Sequence, residues 1–469
     1  MDNNNDELKI KKKCQRNKIS FLLIRFFAGL CDITDIGVKY YYKDIKELDT
    51  TTFTKILLVI KIPYLVKPIY GLLIDFVPIF GYKKKIYLFL CFIINLLSWY
   101  IFIFTKDIGL YTSIFCLLLV NITISFTTVI GSAIQVEIYK LQDSQNNISK
   151  GTSDLMSKSF IIKSIGSLVP CYFKGFLIEK YSQDIIFYMS GIISFFILIS
   201  GMILDEDRVG QIKKTKSQRK FIDFSPLIAP KKKSLSSKKL TSLVQNQNII
   251  ILMILIFILE SSPSCVSPLF YYETNILGLN PKQLGLIDFA SQISIILVIN
   301  VYGKFFYKYN FKSITFFVRI LVFGSFSLIY MLIMKTTQEY INDFILLAFA
   351  TSLNAGLHSL GQLPYSLLCM KYAPFGLEAT TYSFCVFSCY LGNIFADYLD
   401  YLLSLYFKVT HYDFVNLGKL VFVENILNLI PLLYIWIIPK KFFYGKKRVS
   451  SATELKSLEE KKNGENENN

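Results

Sequence analysis

Histidine is scarce in this chain: His358 and His411 are the only two among 469 residues. The sequence holds no His-Glu-x-x-His pair, no nucleophile elbow and no glycine-rich phosphate loop, so the usual equipment of metalloproteases, hydrolases and nucleotide-driven enzymes is missing. The nine cysteines are scattered. Cys385 and Cys389 stand one helical turn apart with no second pair near them, which argues against a zinc site or a disulfide framework and for small apolar side chains. Acidic residues are also short, 34 against 51 lysines and arginines, leaving a net charge of +17. No cleavable signal peptide is read at the start: the first residues are polar and Asn-rich, and the first apolar run is too long and ends without a small-residue cleavage site. That run is expected to be its own insertion signal. The chain reads as a non-enzyme that needs no cofactor and no metal.

What it has in quantity is apolar length. Hydrophobic residues make up 53% of the chain and the mean hydropathy is +0.43. One helical crossing of a bilayer takes about 20 apolar residues. Such runs recur at 20–41, 54–76, 86–104, 110–136, 158–177 and 185–204, then at 249–270, 284–302, 314–334, 344–368, 379–406 and 417–438. Periodicity inside them is weak, because lipid and protein interior are both apolar, so length and interrupting charges delimit them. The expectation is an all-α polytopic membrane protein of about twelve transmembrane helices in two six-helix bundles, 20–204 and 249–438. Between them, 205–248 turns basic through Lys213, Lys214, Lys216, Arg219 and Lys220 and reads as a solvated tether. Residues 1–19 and 439–469 read as tails.

Charge placement sets an orientation. Lysine and arginine crowd the N-terminal tail, the second connection (Lys83, Lys84, Lys85), the central tether and the C-terminal tail, while the odd connections are nearly balanced, as in Lys43, Asp44, Lys46, Glu47 and Asp49. The positive-inside rule therefore puts both termini and the tether in the cytoplasm, with the plasma membrane as the default compartment. The same accounting removes nucleic acid as a partner, because the basic residues sit in short loops beside apolar runs with no binding module.

A charged side chain inside an apolar span costs several kcal/mol unless it faces a cavity or a partner, so each one marks a candidate site. Arg25, Asp32, Asp35 and Lys39 fall within an arc of roughly 80° on the first span and form one polar stripe. Asp35 and Lys39 are also spaced to pair at i,i+4, so cavity lining and structural pairing are both open. The second span adds Lys61, Lys67 and Asp75. The fifth carries Lys163 and Lys174, within about 20° of each other on the helix. Surplus lysine in this half suits an anionic organic substrate, and snorkelling at span ends is the other reading of Lys163 and Lys174. In the second half, Glu260 precedes a stretch with two prolines, Pro263 and Pro268, which break helix geometry where backbone lines a cavity or meets a neighbour. Asn354, His358 and Gln362 recur every four residues as another polar stripe, open to substrate contact or to hydrogen bonding between helices. Asp288, Glu378, Asp397, Asp400 and Glu424 are acids whose partners the sequence does not name.

The most specific local pattern runs Lys67-Pro68-x-Tyr70-Gly71-x-x-x-Asp75-x-x-Pro78-x-x-Gly81-Tyr82-Lys83-Lys84. It resembles the Gly-x-x-x-Asp and basic-turn signature of major facilitator transporters. A small Gly71 lets the helix approach a neighbour, and Asp75 at the span end can bridge an interface. Together with Lys43-Asp44, Pro63, Glu137, Phe270-Tyr271-Tyr272, Leu277-Gly278, Leu284-Gly285 and Pro374-x-Gly376-x-Glu378-Ala379-Thr380, the chain resembles the folate-biopterin transporter family over most of its membrane region. Tyr64, Lys83, Lys84, Thr128 and Ser132 depart from the pattern. The resemblance implies alternating-access transport of folates, pterins or related small organic anions, often with protons. The charged and polar residues of the spans supply the candidate substrate ligands for such a cargo: Asp32, Asp35, Lys67, Lys163, Lys174, Glu260 and His358. A pterin edge would bind Asp32 or Asp35 by two parallel hydrogen bonds, and a glutamate tail would meet a lysine. Gly71, Asp75, Lys83, Lys84, Glu137 and Glu378 are the expected gating residues. Partners are then the small-molecule substrate, the lipid bilayer and coupling protons, with a monomer as the working unit. A transporter of another metabolite, such as a nucleobase or sugar derivative, remains the alternative on the same fold.

Overall fold

A computed structural model describes residues 2–105, 109–143, 150–181, 184–206, 208, 247–305, 311–373, 377–410 and 412–437. The 205–248 tether and the C-terminal tail therefore lie almost wholly outside the described residues. Regular structure within them is helical, apart from one antiparallel bridge between Ile79 and Tyr82.

The helices follow one another as twelve crossings. The first is Asp2–Leu30 continued by Ile33–Tyr40, and the second is Thr50–Lys61 continued through a tight turn at Ile62–Val66 into Lys67–Phe76. Lys85–Phe104, Leu110–Asp143, Lys150–Tyr181 and the pair Asp184–Ile193 and Phe195–Ile203 complete the first half. The second half runs Gln247–Glu260 with Val266–Asn275, Pro281–Phe305, Phe311–Ile333, Asp343–Tyr372, Glu378–Tyr406, and Leu417–Leu427 with Ile430–Ile437. Among the described residues nine stretches are individually long and apolar enough to cross a membrane. The first, seventh and eleventh crossings fall short of that mark. The first and seventh are broken into shorter helices, the seventh's first piece Gln247–Glu260 being apolar but only 14 residues long, and the eleventh is rich in Ser, Thr and Tyr. The end carrying Asp2 is called the tail face below, and the opposite end the far face.

The breaks have chemical causes. Pro63 and Pro68 withhold backbone donors, and the second crossing tightens to i→i+3 bonding between them. The seventh loses helix over residues 261–265 around Pro263, and Cys265 adopts a left-handed backbone with φ of 51°. The sequence signals the second break by its two prolines; the first is a finding of the structure. In the basic connection after the second crossing, Gly81 has φ of 84°, which lets Ile79 and Tyr82 exchange two backbone hydrogen bonds of 2.9 Å in a tight turn.

Within the first half the first crossing packs on the fourth, fifth and sixth. A hydrogen-bonded chain from Ser194 (2.6 Å) through Asn95 to Thr123 (2.5 Å) ties the sixth, third and fourth together. Trp99, 2% exposed, stacks on Phe187 with ring centres 5.8 Å apart in the same core. The halves meet along two seams, the fifth crossing on the eighth and the second on the eleventh. On the fifth–eighth seam Gly175 lies against the backbone of Pro281 and Lys282, and Gly285 against the carbonyl of Cys171. A side chain at either glycine would strike main chain. Without a hydrophobic force between helices in lipid, small residues that allow such close approach supply the packing.

Gly175→Val should therefore lower the thermal unfolding midpoint of the purified protein, by overpacking worth about 1–3 kcal/mol. Gly324, whose added Cβ would meet nothing within 4 Å, is the control: Gly324→Ala should leave the midpoint unchanged or raise it slightly. Equal effects of the two substitutions would contradict the seam.

Candidate functional site

Between the halves lies a cavity of about 750 Å³, large enough for a drug-sized organic molecule. Its wall draws on both halves, with Arg25, Asp32, Asp35, Lys61, Lys67 and Lys163 from the first and Glu260, Arg319, His358, Tyr390 and Asp397 from the second.

The tight turn at Ile62–Val66 presents Tyr64 and, directly after it, Lys67. Tyr64 stacks on Tyr390 of the eleventh crossing at 4.5 Å between ring centres and 17° between planes, and its hydroxyl donates to Asn121 at 2.9 Å. The Lys67 ammonium sits 4.1 Å from the centre of the Tyr390 ring and 5.0 Å from that of Tyr64. Lys67 is only 3% exposed, and no carboxylate pairs with it among the described residues. Arg25 is similarly without an acid: it reaches the Ser159 carbonyl at 3.5 Å and the Phe160 ring at 5.5 Å. Lys163 likewise lines the cavity with no ion pair among the described residues.

The acids are differently placed, since each already has a partner. Asp32 accepts from the Ser167 hydroxyl at 2.6 Å, and Asp35 pairs with Lys39 at 2.9 Å, the i,i+4 contact its spacing allows. Asp397 pairs with Lys61 across the second–eleventh seam. Glu260 ends the first helix of the seventh crossing and accepts from Tyr365 at 2.8 Å, with His358 Nε2 at 3.2 Å. Gln362 supports His358 at 3.4 Å, and Arg319 donates to the Leu259 carbonyl. The wall thus offers free cations and occupied carboxylates, which favours an anionic guest.

Lys174, expected among the substrate ligands, is placed elsewhere. It shares a helix face with Lys163 but lies about 16 Å further along the helix. There it forms a 2.5 Å ion pair with Asp288 of the eighth crossing, away from the cavity wall. The glycine seam explains the pairing: Asp288 follows Gly285 by three residues, and Gly175 follows Lys174 directly. Tyr390 and Tyr365 escape the sequence reading altogether, since 30 tyrosines carry no mark of which one faces a cavity, and Asn121 is a lone amide in an apolar run.

The gating candidates gather at the tail face. Asp75 accepts from the Thr380 backbone amide at 2.9 Å and from its hydroxyl at 2.6 Å, so a carboxylate of the first half caps a helix of the second. Gly71, one turn earlier, lies against Ala379, Thr380 and Ser383 and permits the approach. Lys83 donates to the Asp75 carbonyl at 3.0 Å, while Lys84 pairs with Glu137 of the fourth crossing. Burial opposes the charge on Lys84, but Glu137 outweighs it and raises the ammonium above the usual lysine range. Glu206 accepts from the backbone amides of Lys83, Lys84 and Lys85 at 2.9, 3.0 and 3.0 Å and fixes the turn. Glu378 opens the eleventh crossing, but its side chain, like Pro374 and Gly376, lies outside the described residues. At the far face the halves touch through the Tyr271 hydroxyl on the Leu48 carbonyl at 2.8 Å, and Tyr40 meets Phe270 edge-on at 5.8 Å.

A profile of the BT1 family matches residues 28–454. The chain belongs to the BT1 family. Folate transporter 1 of Plasmodium falciparum (isolate 3D7) is 26% identical over 432 residues, spanning 90% of this chain and 79% of that protein. The folate-biopterin transporter of Synechocystis sp. is 23% identical, spanning 93% and 83%. Among solved structures, the major facilitator proton:xylose symporter XylE superposes with a TM-score of 0.61 at 14% identity, over 92% of this chain and 96% of that one. The nucleoside transporter NupG gives 0.58 at 13%, over 91% and 99%. At such identities the likeness establishes the major facilitator fold and nothing about cargo. This BT1-family member is a multi-pass membrane transporter rather than an enzyme.

Removing the Asp75 cap should free the tail face. In a variant retaining Cys31 of the cavity wall as sole cysteine, Asp75→Ala should speed labelling by an impermeant maleimide added at that face roughly fivefold, the population shift that about 1 kcal/mol of lost capping allows. Unchanged labelling would show that Asp75 does not hold the halves together.

Proposed function

We propose that this transporter moves folate, pterin or a related small organic anion by alternating access. The observation that carries the reading is Lys67, an acid-free cation set against a tyrosine stack whose two rings come from different halves. A flat heterocycle can replace either ring of that stack at little loss of contact, while Lys67, Arg25 and Lys163 meet carboxylates. Asp32, held by a neutral serine alone, is the acid freest to accept an amino group and a ring N–H side by side. The family relatives named for folate and biopterin support the same cargo class.

In this reading the halves 20–204 and 249–438 rock about the site, joined by the 205–248 tether. Asp75, Gly71 and the basic turn close the tail face. The Lys174–Asp288 pair and the aromatic contacts close the far face. The basic connections favour a cytoplasmic tail face, with a single chain in the plasma membrane taken as the working unit.

Uptake of labelled folate and labelled pterin into vesicles containing the purified protein is the measurement, with a nucleoside and xylose as competitors. Lys67→Ala should raise KM about tenfold, the equivalent of about 1.4 kcal/mol, and Lys67→Arg should recover much of that loss. Uptake of nucleoside or sugar in place of folate and pterin would overturn the cargo.

A further inference from the structure

In the second half, carboxylate oxygens of Asp400 and Glu424 and the sulfur of Cys265 lie within 4.8 Å of one another, all three residues buried. Asp400 belongs to the eleventh crossing, Glu424 to the twelfth, and Cys265 closes the break in the seventh. The cluster stands directly behind the cavity wall: Ser264 and Val266 on either side of Cys265, Asp397 near Asp400, and Asn428 one turn beyond Glu424 all line the cavity. Glu424 is 0% exposed, and neither of its oxygens meets a hydrogen-bond donor among the described residues. Asp400 is better served: the Ser404 hydroxyl lies at 3.5 Å, and Cys265, which precedes the ten-residue helix Val266–Asn275, lies beside its carboxylate.

The charged groups around the cluster are committed or acidic. Asp397 is held by Lys61 from the second crossing, and Glu273 lies further along the seventh. Arg319 of the ninth donates to the Leu259 carbonyl, and His358 of the tenth contacts Glu260. Among the described residues no lysine or arginine pairs with Asp400 or Glu424. Two carboxylates so close, out of water and without a cation, repel unless a proton lies between them. The helix that begins at Val266 starts beside Asp400 and favours the charge there, so a proton shared by the pair would reside on Glu424.

We propose that Glu424, hydrogen-bonded to Asp400, carries the proton that couples transport, a role resting on the transport reading above and distinct from those of Asp32, Asp35 and Glu260, each of which has a protein donor. As the halves part at the far face, the Lys61–Asp397 bridge opens and water reaches the wall in front of the cluster. Glu424 then loses its proton to water or regains it from water on the side to which the cavity is open.

The test separates exchange from driven accumulation in vesicles carrying wild type, Glu424→Gln or Asp400→Asn. Exchange of labelled for unlabelled folate needs no net proton movement and should persist in both variants at the wild-type rate. Accumulation above equilibrium under an imposed pH gradient should be present in wild type and lost in both. Absence of exchange in wild type would remove the cargo reading and this proposal with it. Exchange in wild type without gradient-driven accumulation, or accumulation that survives Glu424→Gln, would overturn the proton assignment alone. Accumulation driven by a sodium gradient and lost in the same variants would overturn it in favour of a bound metal cation. Should Glu424→Gln fail to insert, infrared spectra still decide: wild type should show a protonated-carboxyl band at neutral pH that Asp400→Asn shifts, and its absence would overturn the proposal.

Discussion

An ion inside a hydrocarbon slab must find a counter-charge, a hydrogen-bonding partner or a watery hollow, and this requirement organises the whole chain. It explains why Lys61 reaches Asp397, why Lys174 reaches Asp288, and why Glu260 collects Tyr365 and His358. Once those obligations are met, few charges are left over, and they are not randomly placed. Arg25, Lys67 and Lys163 face the central hollow, and Asp400 and Glu424 face each other. The functional reading follows from these residual charges far more than from the many apolar contacts that surround them.

The same requirement shapes how the halves touch. Glycine lets backbones approach along the seams, and directional contacts fasten the halves at the two ends and, through Lys61–Asp397 and Tyr64–Tyr390, between them. At the tail face one carboxylate caps a helix end, and toward the far face the ion pairs Lys174–Asp288 and Lys61–Asp397, one hydroxyl and a few ring edges meet. Contacts of this kind form and break within small displacements, whereas interdigitated side chains would have to be pulled apart wholesale. Rigid halves with lightly fastened ends are what a rocking motion needs.

The crossings were legible because hydrocarbon thickness imposes a length on any apolar run, and the helices match the expected runs to within a few residues at most ends. The Asp35–Lys39 pair was legible because helix spacing alone brings the two together. Lys163 and Lys174 mark the boundary of such reasoning: angle on the helix is in the sequence, but depth and the neighbour at that depth are not, and one lines the cavity while the other is consumed by Asp288. The Tyr64–Tyr390 stack and the closeness of Asp400 to Glu424 were illegible for the same reason, since each joins crossings whose mutual rotation only packing decides. Pro63 and Pro68 did carry a signal for the turn that presents Lys67, of the same kind as the proline pair in the seventh crossing.

Trp99 has an optical consequence. The chain has two tryptophans; one is enclosed in the wall of the hollow against Phe187, while Trp436, 81% exposed, lies on the outer surface. A flat absorbing heterocycle lodged near Tyr64 and Tyr390 would sit close enough to the enclosed indole to drain its excited state, while the outer indole would emit as a steady background. The protein thus carries a built-in fluorophore for occupancy of its own interior, readable without any attached dye once Trp436 is replaced by phenylalanine.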